Sequence, residues 1–219
     1  MNINTVRQKA KGLLSKKLSA SLTYHCYSHT VWVVESCLTI AQNEGIEDTH
    51  DLTLLETAAW LHDVGFVRAY FEHELQSCVI ARELLPETGA SPEEIEKVCE
   101  LIMATKIPQT PKCLLSKIIC DADLDYLGRD DFYTWSGKLK QEWLNYGIIK
   151  DEDDFFYRQL KFLNAQKFHT QDAQKRRNPN MLLRIKELLQ NDSKSIRLSA
   201  WQGHCRPKKI GFVPVVGVQ

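Results

Sequence analysis

Leu54-Leu55-Glu56-Thr57-Ala58-Ala59-Trp60-Leu61-His62-Asp63-Val64-Gly65 is an apolar run that closes on an adjacent imidazole and carboxylate. Leu54 or Leu55, Ala58 and His62 recur at i, i+4 and i+8, so His62 stands at the end of the helix face that enters a core. Thr53 followed by Glu56 reads as a capping box that starts this helix, and Gly65 reads as its stop. His62 and Asp63 project about 100° apart around the helix, so both reach one ion only if it lies over the gap between them. Two further donors, His29 and Asp123, lie far upstream and downstream, and His29 shares an inward face with Val33, Cys37 and Ile40 or Ala41. Taken alone, any of these residues is more often an ordinary core histidine or a surface acid. Together, imidazole and carboxylate suit a borderline or hard divalent cation better than a thiolate site does.

Working outward, the pattern is helical nearly throughout. Val6, Ala10, Leu13, Leu14 and Leu18 repeat at helical spacing, and further helices are expected near 24–44, 72–85, 92–104, 113–125, 130–146, 152–166 and 172–190. Ser91-Pro92-Glu93-Glu94 is a start signal with serine as cap, proline at the first helical position and glutamate three residues on. Asp151-Glu152-Asp153-Asp154 reads as another N-terminal cap with favourable dipole charges. No run alternates apolar and polar residues, so the expectation is an all-α fold of about eight helices. Trp201, Gly203, Pro207, Gly211, Pro214 and Gly217 break the pattern late, which suggests a domain over residues 1–190 and an irregular basic tail over 191–219.

At 219 residues the chain suits one sizeable core. Apolar residues at 43% and charged residues at 26% exclude a disordered or collagen-like chain. No apolar stretch approaches the roughly 20 residues that span a bilayer, so a cytoplasmic protein without membrane contact is expected. The basic, serine-containing N-terminus also has the composition of a transit peptide, but its helical spacing favours a packed helix. Seven cysteines form no CxxC pair, which fits a reducing compartment better than a disulfide framework. Basic and acidic residues balance at 28 each, so no global field draws the chain to nucleic acid. The basic excess is confined to the two ends, and without interleaved aromatics or a recognisable motif it is a weak nucleic-acid signal.

Tyr24-His25-Cys26-Tyr27-Ser28-His29-Thr30, then His62-Asp63-Val64-Gly65, then His73-Glu74, then Asp121-Ala122-Asp123-Leu124-Asp125 resemble, in order, the H…HD…D signature of the HD-domain superfamily of metal-dependent phosphohydrolases. The resemblance runs from about Met1 to about Leu189. It implies His29, His62, Asp63 and Asp123 as metal ligands, with Asp123 assigned from the family's alanine-aspartate position. The implied ion is manganese, iron, cobalt, nickel or zinc, with magnesium less natural at imidazole nitrogen. Asp63 or Glu72 would accept or relay a proton. His25 stands beside the site rather than on the ion, and Cys26 replaces an asparagine found in many relatives. His73 matches a second-metal ligand of some members, but Ala104-Thr105-Lys106 lacks the partner histidine, so one ion is expected, with His73 on substrate or supporting a weak second ion. Lys106 and Arg129 could hold a phosphate, each with a surface cation or salt bridge as the plain alternative. Asp121 and Asp125 are expected to accept hydrogen bonds rather than bind the ion.

The implied activity is hydrolysis of a phosphomonoester or phosphodiester, of a nucleotide or a related small molecule. The alternative is a non-catalytic ligand-binding or signalling module with a structural metal. Oligomeric state is not readable from the sequence.

Overall fold

The computed structural model describes residues 1–201, the last eleven of them by backbone alone. Among the described residues there are nine α-helices and no strand: α1 (Ile3–Lys17), α2 (Tyr27–Asn43), α3 (Thr49–Leu61), α4 (His73–Leu84), α5 (Pro92–Ala104), α6 (Leu114–Asp123), α7 (Phe132–Asn145), α8 (Glu152–Ala165) and α9 (Gln171–Trp201). Short 3-10 turns follow α3, α4 and α6, at Val64–Val67, Leu85–Thr88 and Asp125–Gly128. The all-α expectation holds, with nine helices in place of about eight. Among the described residues no helix is long and apolar enough to cross a membrane.

The single core expected from the sequence comes in two parts. One packs α1 to α6 around Ile40, Leu55, Leu61, Ile102, Ile118 and Ile119. The other gathers Tyr24 ahead of α2, Tyr126 and Leu127 in the turn after α6, and Phe132, Leu163 and Met181 from α7, α8 and α9. Ala122 belongs to the first and Leu124 to the second, so Asp123 stands at their junction.

Two start signals are realised as read. Ser91 and Glu94 form a reciprocal capping box on α5, and Asp151 accepts from the Asp154 amide at 2.9 Å to cap α8. The start of α3 is corrected. Asp48 caps it by accepting from His50 N and Asp51 N, five residues before the expected Thr53 cap. Thr53 instead lies within the helix and donates to Thr49 O, while Glu56 is buried against Arg7 and Trp60. The helical course beyond 190 is a second correction, since α9 continues to Trp201. Residues 191–200 contain neither glycine nor proline, so nothing local breaks the helix before Gly203. The rest of the expected tail lies outside the described residues.

Gly65 does not end α3 by a left-handed turn. It sits in the following 3-10 turn, where an added Cβ would fall 1.9 Å from the His73 carbonyl oxygen and 2.7 Å from the Ser77 amide. Gly65 is required by this close approach of two backbones. Gly65→Ala should therefore cost at least about 1–3 kcal/mol, read as a fall in Tm. Gly12→Ala on α1, where an added Cβ meets nothing within 4 Å, should be neutral or mildly stabilising. Equal melts for the two variants would contradict the close approach.

The last buried apolar side chain of α9 among residues 1–190 is Leu188, which packs in the second core. Truncation after residue 190 is expected to move Tm by less than about 2 °C. A loss of cooperative melting would show that the removed segment belongs to the domain.

Candidate metal centre

Three helix segments converge at the junction of the two cores. His29 comes from the first turn of α2, His62 and Asp63 from the end of α3, and Asp123 from the last residue of α6. His29 Nε2 lies 3.2 Å from Asp123 Oδ1 and 3.5 Å from Asp63 Oδ2. His62 Nε2 lies 3.1 Å from Asp63 Oδ2 and 3.6 Å from Asp123 Oδ1. His29, His62 and Asp63 are buried, while Asp123 is partly exposed and opens the cluster toward solvent. The sequence-predicted quartet is thus brought together.

The donor set fits a divalent cation. The ligating atoms of His29, His62 and Asp123 all lie within 4.8 Å of one another. Donors that share one ion at about 2.1 Å stand roughly 3–3.5 Å apart, which is the spacing seen. His62 Nδ1 donates to Ala59 O at 2.8 Å, which fixes the ring and turns Nε2 into the cluster. His62 Nε2 and Asp63 Oδ2 are buried without a hydrogen-bond partner, because their contact is poorly aligned. Buried polar atoms left this way are costly, and a cation would satisfy both.

Burial would raise the Asp63 and Asp123 carboxyls, but the imidazoles of His62 and His29 outweigh it and hold both well below the usual carboxylate range. Burial also opposes charge on His62, yet Asp63 and Asp123 together raise its pKa well above the ordinary histidine value. A bound divalent ion would displace that proton while neutralising the same carboxylates.

A column of rings covers one side of the cluster. His73 stacks on Phe66 with centroids 3.9 Å apart, and Phe66 stacks on His25 at 4.3 Å. His73 Nε2 stands 3.5 Å from Asp63 Oδ1, the oxygen that faces away from His62. Burial lowers the His73 pKa despite Asp63 and Glu74, which favours the neutral ring. His25 is anchored by Glu142 on α7, whose carboxylate accepts from His25 Nδ1, from the Tyr24 and His25 amides at 2.8 and 3.0 Å, and from Tyr70 OH at 3.1 Å. The Glu142 side chain is wholly buried. Sequence reasoning missed it, since one glutamate in a polar helix carries no motif. A signal was available only in its spacing from Trp135, Leu139 and Trp143, which marks an inward face.

Other expected residues are engaged elsewhere. Glu72 and Lys106 pair with each other, at 2.9 and 2.7 Å, on the exposed rim beside His73. Glu72 has a left-handed backbone, φ 57°, at the start of α4. Arg129 is bidentate to Asp131 and lies over the Trp32 ring at 4.1 Å. It lines a cleft of about 430 Å³ to which none of the four donors contributes. The expected phosphate contact from Arg129 therefore has no support in the geometry. Asp121 accepts from His169 N and from the amide and hydroxyl of Thr170, while Asp125 accepts from Ser36 and Arg177. Both aspartates are hydrogen-bond acceptors that fasten α9, as their offset from Asp123 implies.

The HD domain family model matches residues 26–125, a span that holds all four donors and His73. No curated protein matches the chain. Among solved structures, a predicted HD superfamily hydrolase from an uncultured Thermotogales bacterium is 19% identical, covers 87% of this chain and 91% of its own, and superposes with a TM-score of 0.56. Bacillus subtilis YpgQ, solved in complex with ADP, is 18% identical, covers 87% and 97%, and gives 0.58. A Lactobacillus plantarum protein is 15% identical, covers 89% and 97%, and gives 0.66. At these identities the structural likeness is one of fold. With the fold, the matched segment and the donor quartet in agreement, residues 26–125 form an HD domain.

Proposed function

We propose that the chain is a metal-dependent phosphohydrolase acting on a phosphomonoester or phosphodiester of a small molecule, with a nucleotide as the first candidate. The observation that carries the reading is the convergence of His29, His62, Asp63 and Asp123, with His62 Nε2 and Asp63 Oδ2 buried and unpartnered. The ADP complex of YpgQ, which shares the fold, supports the nucleotide.

A divalent ion bound there would polarise a phosphoryl oxygen and lower the pKa of a water. The protein's own groups would do the rest. Asp63 offers its second oxygen, toward His73, to receive a proton from the attacking water. Neutral His73 can donate a hydrogen bond to a substrate oxygen at the partly exposed edge. At the rim, a phosphate would compete with Glu72 for the Lys106 ammonium, and the carboxylate so released becomes available as a proton relay.

The test is hydrolysis by metal-stripped protein of phosphomonoesters, phosphodiesters and nucleoside di- and triphosphates, with manganese, cobalt, nickel, zinc or magnesium added in turn. Turnover that requires an added ion and stops with chelator is expected. Ion-independent turnover, or none on any class, contradicts the proposal.

Lys106→Ala should raise the apparent substrate constant about tenfold to hundredfold, the loss of one charge-assisted contact of about 1.5–3 kcal/mol, without releasing metal. Arg129→Ala should leave that constant unchanged, because its guanidinium is held by Asp131 and Trp32 in a separate cleft. Substrate titrations of both variants check this contrast.

The Glu72–Lys106 pair also favours a second reading, since a group assigned to proton relay and one assigned to substrate already satisfy each other. That reading is a ligand-binding module with a structural metal.

A further inference from the structure

Cys78 on α4 and Cys99 on α5 meet where these helices pack together. Each thiol donates to the other residue's carbonyl, Cys78 Sγ at 3.5 Å from Cys99 O and Cys99 Sγ at 3.8 Å from Cys78 O. Reciprocal contact of this kind draws the two backbones together, as a bridge with Cα atoms roughly 4.4–6.8 Å apart requires. Arg82, one turn after Cys78, is bidentate to Glu96, nearly one turn before Cys99, with both contacts at 2.7 Å, so an ion pair holds the helices in register at this point.

Each cysteine is 3% exposed, yet both line a cavity of about 820 Å³ whose wall also carries Arg82, Glu96, Met103 and Cys113. The two sulfurs differ in character. The neighbouring Cys78 thiol, opposed by burial and aided by Arg82, lowers the Cys99 pKa. The neighbouring Cys99 thiol, together with burial, raises that of Cys78. The more acidic thiol, Cys99, and the one that holds its proton more firmly, Cys78, stand side by side.

We propose that Cys78 and Cys99 form a reversible dithiol–disulfide pair, oxidised by a low-molecular-weight disulfide that enters through this cavity. The Cys99 thiolate attacks one sulfur of the oxidant, forming a mixed disulfide and releasing one thiol. Cys78 then loses its proton and attacks the Cys99 sulfur, forming the bridge and releasing the second thiol. Two electrons and two protons pass from the pair to the oxidant. The bridge would pin α4 against α5 next to Ser77, whose hydroxyl donates to His62 O at 2.6 Å and accepts from Gly65 N at 2.8 Å. The pair therefore stands directly behind the HD segment without contributing to the metal centre.

The experiment equilibrates the reduced full chain with oxidised glutathione, blocks free thiols by alkylation, and reads intact mass and tryptic peptides. Trypsin cuts at Arg68, Arg82, Lys97 and Lys106, which places Cys78 and Cys99 on separate peptides. Expected are a mass loss of two hydrogens, a linked pair of these peptides in most chains, reversal by dithiothreitol, and a higher Tm for the oxidised chain. Cys99→Ser should show none of these. Should that variant fold poorly, the pairing in the parent chain decides alone. Glutathione adducts or bridges at Cys113 or Cys205, with Cys78 and Cys99 still alkylated after unfolding, would overturn the proposal.

Discussion

Asp63→Asn should leave a folded helical protein with at least about a hundredfold less phosphoester turnover. Asparagine keeps the size of the side chain and removes the charge that stands 3.1 Å from His62 and 3.5 Å from His29. That charge, which faces His73, is also the proposed proton acceptor. Most of the stability comes from the two apolar cores, so circular dichroism should change little. The structural-metal module makes a different forecast. There the metal-binding free energy is folding free energy, and both chelator and Asp63→Asn should lower Tm sharply. Hydrolysis assays run beside melts with and without chelator separate the two. Unchanged turnover in Asp63→Asn would remove Asp63 from the chemistry altogether.

Glu142→Gln should destabilise the chain by about 3–5 kcal/mol, the cost of breaking a buried charged pair, or roughly 10 °C in Tm for a domain of this size. The glutamine amide would face four donors that now share one carboxylate: the Tyr24 and His25 amides, His25 Nδ1 and Tyr70 OH. The effect has a pH signature. Burial would raise the Glu142 carboxyl, but the hydrogen bond from His25 and the two backbone amides depress it. Burial would lower His25, but Glu142 outweighs it and raises the pKa. A depressed carboxyl contributes stability present above its unfolded pKa and lost as pH falls through the folded one. A raised histidine contributes stability present below its unfolded pKa and lost as pH rises through the folded one. The difference between parent and variant should therefore be largest between about pH 4.5 and 6.5 and shrink on both sides. Thermal melts across pH check it, and a flat difference would mean that the pair is held by packing rather than charge.

Much of this site was legible because its residues sit in periodic surroundings. His62 completes the Leu54, Leu55 and Ala58 face, and His29 completes that of Val33, Cys37 and Ile40, so the apolar pattern aims both rings inward. Asp123 needed the family resemblance, since no helical rule distinguishes it from Asp121 or Asp125. The structure separates them by what each touches: Asp121 and Asp125 are spent on α9, while Asp123 faces the histidines.

What stayed hidden were partnerships across large sequence separations. Lys106 and Arg129 read alike as phosphate cations, yet only the fold shows one at the rim with Glu72 and the other on Trp32 and Asp131. Glu142 was invisible for the same reason, because its four donors come from two segments more than seventy residues upstream. Thr53 and Gly65 were misread in detail. A capping motif competes with a better cap five residues earlier, and a glycine can be demanded by a neighbouring backbone rather than by its own φ.

Calorimetric titration of cobalt(II) into the metal-stripped chain, beside His29→Ala and Asp123→Ala, tests the metal centre most directly. The parent should bind one ion per chain, and each variant should bind at least about a hundredfold more weakly while remaining helical. Equal affinity and stoichiometry in all three proteins would contradict the assignment of these side chains as a metal centre.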